Sequence, residues 1–421
     1  MLAYFLFFFY LFSGIILMHF IIRRKIFPFT IYHTASILLF KIFMGCLYGW
    51  LFLHFYGGDD TWYYFLESRD QTNLLIVHPV RFFREFGPVF SLQLTHYRVW
   101  DALLFYIAHF EEWFMVKGLA ILNLLSGKNY YIDVLWFEFL TLLGPLLLFK
   151  MLARAFPSRT GMNFLLIFFV PSVVFWCSGI RAEGLLLLFM AITLYNGQEY
   201  ALRPRWTLLP GLALGLLGLL LIRYQFLAVF LPAFLAFWIS VKKQTASPVF
   251  FKRIYLFGAV CVLASLFLPP TYQLSRPLVK SQSSFFRLHG NTRYGLDSLQ
   301  PGPISFLKVL PQAAANTMLR PYPWEGKNLL QSVSSIDILL LLTGVLFFFL
   351  SPERKKQVSH PLYWFFLFYG ISQLVLIGYA VPFPGAIVRY RSFCFLFLFL
   401  FLFSGSPLLQ QKLRYRIFNL H

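Results

Sequence analysis

Apolar runs of about twenty residues recur along this chain, the length a helix needs to cross a hydrocarbon core, and polar or basic clusters separate them. Placing the basic clusters in the cytoplasm gives a consistent alternation. Spans are predicted at about 3–22, 34–56, 131–152, 161–178, 181–196, 207–222, 224–241, 252–269, 334–350, 361–380 and 391–407. Their inner ends meet Arg23-Arg24-Lys25, Lys150 with Arg154 and Arg159, Arg203 with Arg205, the Lys242 to Arg253 cluster, Glu353 to Lys356, and a basic tail at Lys412, Arg414 and Arg416. The first run is followed by basic residues and has none before it, so it reads as a retained span and not a signal peptide.

The prediction is an all-α, polytopic helical membrane protein with about eleven transmembrane helices, forming a single membrane-embedded domain over 1–421. Its N-terminus lies outside and its C-terminus in the cytoplasm. Two long segments, about 57–130 and 270–333, fall on the same outer face. The first is aromatic and mixed in charge, with a short apolar stretch from Trp113 to Leu125, a pattern that predicts interfacial helices lying on the bilayer. Two tight hairpins are expected, one turning at Ser178-Gly179 and one with Arg223 at its outer turn.

Composition strengthens this picture. Hydrophobic residues make up 59% of the 421 and charged residues 12%, with a mean hydropathy of +0.69; a soluble domain carries about 25% charged residues. The net charge of +20 sits mostly in short loops that meet anionic membrane lipids, which argues for no nucleic acid partner. Cys46, Cys177, Cys261 and Cys394 are scattered, with neither zinc spacing nor a disulfide framework.

Four polar constellations remain, all on the outer face. In Gly57-Gly58-Asp59-Asp60-Thr61-Trp62-Tyr63-Tyr64, two carboxylates could take a proton from an acceptor hydroxyl or hold a divalent cation beside a phosphate. The aromatics there offer flat faces for a sugar; equally, an Asp could simply cap the following helix. In 171–184, PSVVFWCSGIRAEG, Arg181 and Glu183 lie near hydrocarbon depth. Ionisable groups there are paired or functional, so the choice is a lipid-phosphate contact or a structural Arg–Glu pair. In 319–328, LRPYPWEGKN, Arg320, Trp324, Glu325 and Lys327 make either a binding surface or an aromatic belt anchor. In 384–392, PGAIVRYRS, Arg389 and Arg391 sit where positive-inside bias disfavours them, and two guanidiniums near a helix N-terminus suit a phosphate or pyrophosphate. Arg223 is a candidate to join them.

An early outer acidic pair, long outer loops and many spans together resemble the GT-C class of polyprenyl-phosphate-sugar glycosyltransferases of bacterial envelopes. The resemblance implies sugar transfer on the outer side of a bacterial inner membrane. The partners it implies are a lipid-linked sugar donor, a glycan, lipid or protein acceptor, and membrane lipids. It makes Asp59 and Asp60 the base or metal-ligand positions, with Asp60 as ligand to a divalent cation such as Mg or Mn. Arg181, Glu183, Arg223, Arg320, Trp324, Arg389 and Arg391 become substrate-binding positions. One departure stands out: the class places its acidic pair after the first span, whereas here it follows the second. An O-antigen-type polymerase or ligase, which needs no acidic pair, a lipid or solute transporter, and a non-catalytic scaffold are the alternative readings.

Overall fold

A computed structural model describes residues 1–85, 99–245, 247–290, 292–325, 329–351 and 360–403. The expected basic clusters at 353–356 and 412–416, the 326–328 end of the third constellation and residues 86–98 of the first outer segment lie outside the described residues. Every regular element among the described residues is helical. Seven helical stretches are long and apolar enough to cross a membrane: Leu2–Lys25, Ile31–Tyr56, Tyr130–Ala155, Trp206–Lys242, Gln331–Leu350, Pro361–Ala380 and Pro384–Phe403. The chain is therefore a helical, multi-pass membrane protein.

The helices are α1 (Leu2–Lys25), α2 (Ile31–Tyr56), α3 (Asp60–Val77), α4 (Pro79–Arg84), α5 (Val99–Ser126), α6 (Tyr130–Thr141), α7 (Leu143–Ala155), α8 (Thr160–Phe168), α9 (Pro171–Trp176), α10 (Ala182–Leu202), α11 (Leu209–Lys242), α12 (Val249–Ser265), α13 (Arg276–Arg287), α14 (Pro303–Met318), α15 (Leu329–Leu350), α16 (Pro361–Ala380) and α17 (Pro384–Phe403). They group into two compact units. The first contains Met1–Arg154, Ile167–Gly197 and Arg205–Leu227; the second contains Ala155–Leu166, Gln198–Pro204 and the chain from Ala228 onward.

Three expected spans look different in the structure. The one at 161–178 is broken into α8 and α9, because Pro171 has no N–H to donate and pushes Val170 out of helical geometry; Val170 is extended, at φ −73° and ψ 111°. Helix α10 keeps its length but carries Glu183, Asn196, Gln198 and Glu199, which lowers its hydropathy. Helix α12 has 17 residues. The two runs around Arg223 form one helical stretch, interrupted at Arg223 by an extended backbone (φ −153°, ψ 89°). Trp113 to Leu125, expected as a short apolar segment, is the second half of the 28-residue α5.

Local sequence explains how α2 hands over to α3. Thr30 and His33 form a capping box at the start of α2. Gly57 ends it in the left-handed region at φ 73°, where a side chain would be strained. Asp59 then caps α3, its carboxylate accepting from Thr61 N at 3.1 Å. Trp62 fixes the new direction: its indole N–H donates to Gly49 O at 2.8 Å, and its ring stacks on Tyr130 at 3.9 Å.

Candidate functional site

In the first unit, Asp59 is joined to a residue of the preceding helix and to a residue far later in the chain. Its Oδ2 accepts from the Tyr48 hydroxyl of α2 and from Arg181 Nη1 at 3.2 Å. Arg181 also donates through Nε to Glu183 at 3.1 Å, and its guanidinium lies 4.5 Å from the centre of the Tyr48 ring. Glu183 comes within 3.9 Å of Arg223. Arg223 in turn makes a two-point contact with Glu111 of α5, at 3.1 and 3.2 Å. Charges thus alternate along Asp59, Arg181, Glu183, Arg223 and Glu111.

Burial orders this network. The Arg181 and Glu183 side chains are 2% and 1% exposed, whereas Asp59, Arg223 and Glu111 lie between 16% and 17%. The buried pair holds the geometry, and the two ends of the network are partly exposed.

The turn that delivers Arg181 is held from two sides. Residues 177–181 are not helical and are buried, which at membrane depth is tolerated only when the protein satisfies the backbone. Lys41 of α2 donates to Cys177 O at 3.1 Å and to the Ser178 hydroxyl at 3.3 Å. Glu138 of α6 accepts from the Gly179 N–H and pairs with Lys41. Gly179 adopts φ 78° and packs its Cα face on Gly45. Neither Lys41 nor Glu138 was singled out from the sequence, although a lone charge within an apolar run was the signal available.

The predicted residues separate into distinct roles. Asp60 is exposed in the first turn of α3, while Asp59 both caps that helix and joins the network. Glu183 is buried and pairs with both Arg181 and Arg223. The first-constellation aromatics are partly committed as well, with Trp62 covered by Tyr130 and the Tyr63 hydroxyl donating to Glu112 at 2.8 Å. The Tyr63 ring itself stays exposed. The Tyr63 phenol is pushed up to about 12, first by this hydrogen bond and then by burial and the charges of Glu112 and Glu67.

The remaining candidates lie in the second unit. Arg391 is 1% exposed; it donates to Thr317 O at 3.0 Å, to Arg320 O and to the Ser334 hydroxyl at 2.6 Å. It thereby binds carbonyls at the end of α14. Arg320 pairs with Glu325 at 2.7 Å and lies 4.5 Å from the Tyr294 ring centre. Trp324 is 81% exposed and stacks on Tyr322. Arg389 is partly exposed beside Tyr390.

Among the described residues no three His, Cys, Asp or Glu side chains gather as a metal site, and Asp59 is surrounded by donors, one of them a cation. Comparison of the chain with protein-family models, curated proteins and solved structures finds no match.

Proposed function

We propose that this protein is a membrane glycosyltransferase of about eleven spans, acting on the extracytoplasmic face of a bacterial inner membrane. It moves a sugar from a polyprenyl-phosphate carrier to a glycan, lipid or protein acceptor. The observation that carries this reading is the Asp59–Arg181 pair, 122 residues apart in sequence, extended to the rim by Arg223. In this reading Asp59 accepts the proton of the acceptor hydroxyl as its oxygen attacks the anomeric carbon. The bond from that carbon to the phosphate oxygen breaks, and the lipid phosphate leaves with its electron pair. Arg223, at a backbone break and at the rim, exchanges Glu111 for that phosphate and stabilises the charge it gains.

A transporter or flippase is the second reading. The unwound, buried 177–181 turn and the Lys41–Glu138 pair within apolar helices favour it, since broken helices with internal charges line transport sites. The test uses the full chain in nanodiscs with a panel of labelled polyprenyl-phosphate sugars and acceptors. Glycosyl transfer that is lost in Asp59→Asn is the expected result. Full transfer by Asp59→Asn overturns the mechanism in favour of a polymerase or ligase; labelled lipid crossing the bilayer of proteoliposomes with no new glycosidic bond overturns it in favour of transport.

A further inference from the structure

The second unit turns one cationic face away from everything it packs against. Helix α13 reads RPLVKSQSSFFR, with three cations and no acidic residue. At 3.6 residues per turn, Arg276, Lys280, Ser283 and Arg287 fall within about 60° of one another around its axis, and all four are exposed. At 1.5 Å per residue the cations step along that line by about 6 Å and then about 10 Å. The opposite side is folded inward. Leu278 and Val279 pack against the buried cluster of Leu299, Val309, Ala313 and Tyr379. Gln282, 2% exposed, donates to Asp297 O at 3.0 Å and to Tyr379 O at 2.9 Å, and it accepts from Leu299 N at 2.7 Å.

Two of the three cations work against the helix that carries them. Arg276 stands in the first turn, where a cation opposes the helix dipole, and Arg276 and Lys280 repel as like charges four residues apart. Only Arg287, in the last turn, suits the dipole. Arg276 donates to the neutral Gln273 side chain at 2.9 Å. Among the described residues, neither Lys280 nor Arg287 pairs with a carboxylate. A basic amphipathic helix commonly lies on a bilayer through its apolar face. Here that face is already occupied: it covers the unit's own core, and Gln282 fastens it to the last turn of the spanning helix α16. The cationic stripe therefore looks away from the end of that span. Positive charges repeated along a line, two of them guanidiniums that grip carboxylate or phosphate at two points, suit a linear partner that repeats negative charge.

We propose that the stripe of Arg276, Lys280 and Arg287 binds an acidic glycan, a linear saccharide bearing carboxylates or phosphates. The choice of a glycan rests on the outer-face placement in the sugar-transfer reading; the stripe uses none of the residues of the Asp59 network. The test is binding of labelled oligogalacturonate to the full chain in phosphatidylcholine nanodiscs, with uncharged dextran oligomers as the control. The native protein binds the polyuronate and not the dextran, and its affinity drops as salt is raised, since exposed charges are screened. Arg276→Gln with Lys280→Gln weakens that binding several-fold yet melts near the native temperature, because it relieves repulsion within the helix. Equal affinity of native protein and double variant, or equal binding of dextran, overturns the proposal. Bound phosphatidylglycerol that native mass spectrometry finds on the native protein and not on the variant, with polyuronate binding unchanged, overturns it in favour of lipid headgroups. Sidedness is read separately, from Lys280→Cys in spheroplasts treated with a membrane-impermeant maleimide. Labelling above the native background in intact spheroplasts supports the glycan. Labelling only after lysis overturns the glycan and the outer-face reading together, whereas absent sugar transfer with polyuronate binding intact overturns the transfer reading alone.

Discussion

Lys41 and Glu138 form an ion pair inside the first unit, with side chains 7% and 0% exposed, and each also makes hydrogen bonds to the turn from Cys177 to Gly179. Two residues after that turn, Arg181 meets Asp59. Removing one member of a buried pair leaves the other charge uncompensated, at a cost of about 3–5 kcal/mol. Lys41→Met should therefore lower thermal stability strongly, while Lys41→Met with Glu138→Gln should lose clearly less than the sum of the two single changes. A double-mutant cycle on melting temperature measures this; additive losses would show that the pair is not coupled.

Asp59 combines a structural and a chemical role, and substitution separates them. Asparagine caps helices about as well as aspartate, whereas alanine costs about 1 kcal/mol. Asp59→Asn keeps an acceptor for Thr61 N but loses its charge toward Arg181. Asp59→Ala is expected to melt at a lower temperature than Asp59→Asn, with both losing sugar transfer by about 100-fold or more. If Asp59→Asn melts as low as Asp59→Ala, the cap contributes nothing measurable and the charge pair alone holds the head of α3.

Arg391 predicts the opposite separation. Its donors reach backbone oxygens at Thr317 and Arg320 and the Ser334 hydroxyl, a fork that lysine cannot reproduce. Arg391→Lys should destabilise the protein by about 2–3 kcal/mol, the scale of buried hydrogen bonds to a charged group. The folded fraction should still bind undecaprenyl phosphate with unchanged affinity, measured by native mass spectrometry. Weakened binding at full stability would return Arg391 to the ligand.

What the sequence reveals depends on separation along the chain. The long apolar runs show α1, α2, α15, α16 and α17, because lipid imposes a length on each. Gly57-Gly58-Asp59 shows a helix end and the next cap, both set by neighbours. The Asp59–Arg181 contact is invisible at 122 residues' separation, and so is the difference between Arg391, drawn into the fold, and Arg389, one turn's fraction away on its surface. Lys41 and Glu138 passed unremarked for a different reason: each sits in a run whose mean hydropathy dominates a single charge. The break between α8 and α9 was readable at Pro171, but the run around it is apolar enough to pass for a continuous span.

The Tyr63–Glu112 contact predicts an alkaline effect. Its phenol has a folded-state value of about 12, above the ordinary 10.0, chiefly because the proton is held by Glu112. A group raised on folding stabilises fully below its unfolded value, and that contribution is lost as pH rises through the folded one. Stability from this contact should thus fall between about pH 10 and 12. Absorbance titration should show one tyrosinate fewer forming near pH 10 than in Glu112→Gln; identical titrations would show that the contact does not form in solution.

His360 makes the converse prediction at acid pH. It caps α16 through Nδ1, which accepts from Leu362 N at 3.1 Å, and only an unprotonated nitrogen can accept. Burial pushes its value down to about 4 from the ordinary 6.5, so the folded state holds the ring neutral while the unfolded chain would protonate it. The sign is that of a depressed base: the contribution is complete above about pH 6.5 and declines as pH falls toward 4. His360→Asn keeps a side-chain acceptor for the cap and does not titrate. Its melting temperature should match that of the native protein near pH 8 and exceed it near pH 4.5, while His360→Ala should be less stable by about 1 kcal/mol at pH 8. Parallel melting curves for the native protein and His360→Asn across that range would show that the ring gains its proton without leaving the cap.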